Sequence, residues 1–245
     1  MIGSGNPARG RTACFVVATL GSLACARGTV VDCAPSPAAA SRAGGGDLLP
    51  AGTDARRWAF DAPTGSAPDG FELLHTDGPP GHWVIRSRTD APSAPAALAQ
   101  EDSARVSSRF AVAAASGATF GDVSLAVRCA AIGGSIDRAC GIVWRLGSAE
   151  NYYLARANAL ENNVRLYYVR DGRRHEIAGW DGAVTSCTWH SLRADMRGDL
   201  IEVYWNGRRV IEARDDHFRQ PGRVGLWTKA DSRTLFDDLV VRAVF

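Results

Sequence analysis

Lysine is nearly missing from this sequence. Of the 28 Lys and Arg residues, only Lys229 is a lysine. Arginine keeps its proton inside a protein whereas lysine can be tuned to release it, so amine chemistry would have one address here. An excess of one charge sign is missing too. The formal net charge is +2, with no basic block and no arginine-rich helix, so neither nucleic acid nor an anionic membrane is an expected partner. No apolar run reaches the roughly 18 residues of a membrane span. There is no CxxC pair and no Cys/His spacing of a zinc site, so no metal or other cofactor is read from the motifs. No segment has a convincing helical period.

What is present begins with a secretion signature. Arg9 and Arg11 precede "TACFVVATLGSLA" (12–24), an apolar stretch too short to span a bilayer, and Ala24-Cys25-Ala26 fits a small-x-small cleavage site. Residues 1–26 read as a signal peptide, and the mature chain is expected to begin near Cys25 or Arg27. "SLAC" is close to a lipoprotein box with its Leu out of place, so a lipid anchor on Cys25 is the alternative. Residues 27–54, rich in Ala, Gly, Pro and Ser, read as a flexible linker. The expected location is secreted or periplasmic.

From 55 to 245 the pattern changes to short alternating runs separated by turns. The clearest are 122–129, 140–146, 151–158, 163–170, 189–197, 200–206, 208–215, 223–230 and 234–245. Asn206-Gly207 is a strong type I′ hairpin signal, and Asp171-Gly172 and Asp181-Gly182 are weaker ones. The first third, 58–110, is Pro-rich and less regular. Each alternating run buries one face and leaves the other for solvent or ligand. The expected fold is all-β, an antiparallel two-sheet jelly-roll sandwich, acting as a monomer.

In an oxidising compartment nearby cysteines should be bridged. Cys14 leaves with the signal, and Cys33 lies in the linker. Cys129 and Cys140 end one strand and start the next, around a Gly pair, and a disulfide is expected between them. Cys187 is then left as a buried or unpaired thiol.

The ordered strings "GIVWR", "NYYLARANALENNVRLY", "WHSLR", "GLWTKAD" and "FDD" resemble a bacterial secreted group with a concanavalin A-like or laminin G-like jelly roll. That group is the 3-keto-disaccharide hydrolase-like family, sometimes described as family 16 glycoside hydrolase. The resemblance implies a sugar as ligand. It does not bring retaining-glycosidase chemistry with it. That chemistry needs two carboxylates about 5 Å apart, which this fold supplies as an E-x-D-x-E run, and no such run exists here. Attack on a keto-sugar would instead need a base and a cationic stabiliser for the enolate, and Lys229 is the candidate. His190, in "WHSLR", reads as structural. His75, His82, His175 and His217 read as surface residues. Laminin G-like domains also bind calcium through loop Asp residues, for which Asp61, Asp237 and Asp238 are available.

The stretch 151–169 carries the binding candidates. In 151–158, Tyr153, Ala155 and Ala157 point one way, and Tyr152, Leu154, Arg156 and Asn158 the other. Pairing the apolar sets of 151–158 and 163–170 asks for a tight loop at 159–162. The second face then carries Tyr152, Arg156, Asn158, Arg165 and Tyr167. Arg156 and Arg165 would stand close on neighbouring strands, and Glu161 could relieve their repulsion. Asn162 and Asn163 read either as turn formers or as sugar contacts. Trp227 and Lys229 alternate on one face of their own strand, and the family resemblance places a sugar there too. Three functions follow: a carbohydrate-binding jelly roll using the concave sheet, a hydrolase or lyase acting on 3-keto-glycosides, and a laminin G-like adhesion module led by an exposed Trp180.

Overall fold

The computed structural model describes Cys33, Leu48, Leu49 and residues 54–244. The expected signal segment, Cys25 with its alternative lipid anchor, and most of the expected linker lie outside the described residues. Among the described residues no helix is long and apolar enough to cross a membrane.

Fifteen strands occur among the described residues. They are β1 (Arg56–Trp58), β2 (Phe71–His75), β3 (Trp83–Ser87), β4 (Ala96–Gln100), β5 (Phe110–Ala115), β6 (Val123–Gly133), β7 (Ala139–Ser148), β8 (Asn151–Asn158), β9 (Asn163–Arg170), β10 (Arg173–Asp181), β11 (His190–Arg197), β12 (Leu200–Trp205), β13 (Arg208–Arg214), β14 (Arg223–Lys229) and β15 (Arg233–Ala243). They build two antiparallel sheets. One runs β13-β12-β11-β6-β15-β4-β3, with β1 also pairing β15; the other runs β10-β9-β8-β7-β14-β5-β2.

The main core lies between the sheets. Tyr153, Ala155 and Ala157 of β8 and Val164 and Leu166 of β9 meet Leu125 and Val127 of β6 and Phe236 of β15. The alternation read from the sequence therefore sets the correct faces for β8 and β9. Both central turn residues of β12–β13 have positive φ, Asn206 at 49° and Gly207 at 79°, as a type I′ hairpin requires. Asp171 and Gly172 do the same between β9 and β10 at 52° and 71°. Strand β10 itself escapes a periodicity reading. Its register slips between Glu176 and Ala178, and a bulge there reverses which face each later residue occupies. β4 and β5 escape it for another reason: every residue is buried and all but Gln100 are apolar, so no alternation marks the outer face.

Two disulfides are present. Cys129–Cys140 joins β6 to β7, one strand from each sheet, with Cα atoms 6.4 Å apart. Cys187 is not a free thiol, because it bonds to Cys33 with Cα atoms 5.4 Å apart. Cys33 packs on the outer face of the eight-stranded sheet, against a cluster that includes Ile132, Ala130 and Trp189. The two partners are 154 residues apart in sequence, which is why spacing alone did not pair them.

Two of the three carboxylates offered to calcium, Asp237 and Asp238, are otherwise engaged, while Asp61 is exposed. Asp237 accepts from the backbone N–H and hydroxyl of Ser93, both at 2.7 Å, and Asp238 pairs with Arg57 and Arg128. Among the described residues no group of three or more His, Cys, Asp or Glu could hold a metal ion.

His190 is structural. Its Nε2 donates to the Thr185 carbonyl at 3.1 Å, its Nδ1 accepts from Asn206 Nδ2 at 3.0 Å, and its ring stacks on Trp205. These bonds fit the neutral ring, and burial holds its pKa below the usual histidine value. The unfolded chain therefore binds the proton first, at about 6.5. Stability supplied by neutral His190 is full above that pH and is lost as pH falls through the depressed folded value. Denaturation midpoints at about pH 7.5 and about pH 5 should differ more for the wild type than for His190→Gln, which removes the titrating group. Equal losses in both proteins would contradict this.

Candidate functional site

The face of the seven-stranded sheet that points away from the core carries the candidates. Register places Trp227, Gly141, Arg156, Arg165 and Gly179 in one row across β14, β7, β8, β9 and β10. Large and small residues alternate along that row for a steric reason. A Cβ on Gly141 would lie 3.1 Å from the Trp227 ring, and one on Gly179 would lie 2.6 Å from Arg165 Cδ. The glycines leave room for the indole and the guanidinium to lie flat on the sheet.

Above this row sits a polar network. Lys229 Nζ donates to Asp137 Oδ2 at 3.0 Å, and Asn158 Nδ2 donates to Asp137 Oδ1 at 2.8 Å. Asn158 Oδ1 in turn accepts from the N–H groups of Leu160 and Glu161, so it shapes the loop after β8. Arg156 donates to Asn163 Oδ1 at 3.1 Å, to Glu161 Oε2 at 2.8 Å and to Tyr167 Oη at 3.2 Å. Lys229 and Arg156 thus share one face and are linked through Asp137, Asn158 and Glu161. Burial alone would raise the Glu161 pKa. The bond from Arg156 and its charge, aided by Asn163 and Lys229, outweigh this and hold the carboxyl below its usual range. The repulsion expected between Arg156 and Arg165 is relieved by separate carboxylates. Arg156 takes Glu161, while Arg165 turns to the edge strand, bonding Asp181 at 2.6 Å and the Trp180 carbonyl at 3.0 Å.

Several expected contacts have other roles. Asn162 is the turn residue, with φ 51°, and its backbone and side-chain oxygens accept from the N–H groups of Gly182 and Val184. Trp227 and Tyr152 have no exposed surface and cannot offer a ring face to a sugar. Instead Trp227 Nε1 donates to Tyr152 Oη at 3.1 Å, and the two rings form a floor with Phe110 and Tyr167. Burial pushes the Tyr152 phenol well above its normal range, against the Trp227 bond and the charge of Arg174. Trp180, which an adhesion module would need exposed, is half-buried against the main core. His175 and His217 stack on either side of Tyr168, whose side chain packs toward that core and not into this site.

Two participants were missed. Asp137 is a buried counter-ion on the β6–β7 connection. Its own N–H and those of Ser135 and Ile136 all point at the Asp231 carboxylate, which fixes that connection. A lone lysine in need of a partner was the available signal. Arg174 lies on β10; mirroring β9 through the Asp171-Gly172 hairpin would have found it. Asn163, read as either a turn former or a sugar contact, is an acceptor for Arg156 in the network.

No family model and no curated protein matches the chain. Solved structures do. Carbohydrate binding module CBM66 from Bacillus subtilis superposes with a TM-score of 0.56 at 20% identity, over 69% of this chain and 93% of that one. The Bacillus licheniformis β-glucanase gives 0.50 at 12% identity, over 78% and 99%. The exoplasmic/lumenal domain of VIP36, in a Ca2+/Man-bound form, gives 0.52 at 10% identity, over 72% and 84%. The fold is a concanavalin A-like jelly roll. Likeness at such identities shows the architecture alone, and within that jelly roll the network just described occupies the outer face of the seven-stranded sheet.

Proposed function

We propose that this protein binds carbohydrate on the outer face of the seven-stranded sheet. The observation that carries this reading is the pair of bridged charges, Lys229–Asp137 and Arg156–Glu161, fixed beside an aromatic floor. Sugars offer hydroxyls to such groups, and here they would meet side chains whose geometry is already set. The jelly-roll neighbours include a carbohydrate binding module, a β-glucanase and a mannose-bound lumenal domain, which supports a sugar as the ligand class. Two disulfides support an oxidising, extracytoplasmic location.

A few hydrogen bonds that must first displace water give weak binding, with a dissociation constant on the order of 0.1–1 mM. Arg156→Ala should weaken it by about 1.5–3 kcal/mol, the value of a charged hydrogen bond. Sequence reasoning expects little change in stability, but Arg156 is only 3% exposed, so its removal will also destabilise the fold. Titration well below the melting temperature separates the two effects. A glycan array on which the wild type binds no saccharide would overturn the proposal.

The 3-keto-disaccharide hydrolase-like reading is the second one, and Lys229 would carry it. Its amine already donates to Asp137, which suits steadying a negative oxygen more than removing a proton. Lys229→Arg keeps the charge and removes the amine. Binding should survive this change, whereas loss of 3-keto-glycoside turnover in the variant would favour the enzyme.

A further inference from the structure

Most cations on this face are already matched to a carboxylate: Lys229 to Asp137, Arg156 to Glu161, Arg165 to Asp181. Arg174 is different. Its guanidinium carbon sits 4.9 Å from the Tyr167 ring centre, 5.4 Å from that of Phe110 and 5.8 Å from that of Trp227. Rings attract a cation by their negative faces but accept few of its hydrogen bonds. Arg174 Nη1 is buried without a hydrogen-bond partner, and no carboxylate among the described residues bridges to Arg174. Arg156, nine-tenths buried and more, also has an unpartnered Nε, and its guanidinium lies 5.8 Å from the same Tyr167 ring. Tyr167 therefore has two guanidinium groups within 5.8 Å of its ring centre, each with a donor left unused.

We propose that the sugar bound here is acidic, and that its anionic group is taken by Arg174 with help from Arg156. This rests on the carbohydrate-binding reading above. The reason is charge. The pairs around Asp137 and Glu161 are neutral overall, so Arg174 leaves one positive charge uncompensated above the rings. A neutral sugar lying over it would strip water from that cation and return no charge, which is costly. A carboxylate or sulfate ester returns the charge and offers two or more oxygens to a planar fork of donors. Arg174 is half-buried, so part of the residue still meets solvent.

The test is titration of the intact protein with four probes: oligogalacturonate, oligomannuronate, chondroitin sulfate, and neutral laminarin oligosaccharides of similar length. The expected result is binding of at least one acidic probe about tenfold or more tighter than laminarin, weakening as salt is added. Preference for a uronate identifies a carboxylate ligand, and preference for chondroitin sulfate alone identifies a sulfate. Arg174→Gln should abolish that preference, so that the acidic probes bind no more tightly than laminarin. The wild-type comparison stands even if the variant folds poorly. Equal binding of acidic and neutral probes, unmoved by Arg174→Gln, overturns the acidic ligand but keeps the sugar-binding face. Binding of no saccharide at all overturns both.

Discussion

Asp137→Ala is expected to cost about 3–5 kcal/mol of folding stability, among the largest effects of any single substitution in this protein. Asp137 is 1% exposed and holds both Lys229 and Asn158. Removing it leaves a largely buried ammonium with no counter-charge and an amide with no acceptor. Much of the loss should come from that stranded charge. Adding Lys229→Met to Asp137→Ala should therefore recover part of it, a coupling that urea unfolding of the two single variants and the double can measure. A single-variant loss under about 1 kcal/mol would show that water reaches the pair and the network is weaker than its geometry implies.

Loss of the Cys33–Cys187 bridge should rank with it. Chain-entropy reasoning gives about 5 kcal/mol for a closure of 154 residues and about 3 kcal/mol for the 11-residue closure at Cys129–Cys140. Thermal unfolding of Cys33→Ser/Cys187→Ser should show a lower midpoint than wild type in non-reducing buffer. The wild type heated with reductant should fall to at least that value. A double variant as stable as the wild type would mean that the Cys33 segment is tethered without adding to the fold.

The sequence made β8 and β9 legible because one face of each is core and the other is not. Ala155 and Leu166 alternate with Arg156 and Arg165, and that contrast sets the register. The same contrast put Arg156 and Asn158 on one face, and Trp227 with Lys229. It could not say how deeply those side chains lie. Trp227 and Tyr152 look like exposed platforms in a string of letters; they are floor because Phe110 and Arg174 cover them. Those covering residues come from β5, which is uniformly apolar where it meets the site, and from β10, where Arg174 lies ahead of the bulge, opposite Val169. The Cys33–Cys187 pairing was hidden for a similar reason, since it depends on contacts that only the folded chain brings together. Asp137 was hidden because a counter-ion is defined by where its partner ends up, not by its neighbours in the chain.

The Cys129–Cys140 bridge has a consequence for binding as well as folding. It closes the base of the β6–β7 connection that carries Asp137, while the Asp231 carboxylate gathers three successive N–H groups at its tip. A connection clamped at both ends has few shapes to lose when a ligand arrives. Affinity at the proposed face then depends on complementarity more than on ordering, so ligand arrival should be fast and nearly free of conformational adjustment, and affinity set chiefly by how quickly the sugar leaves.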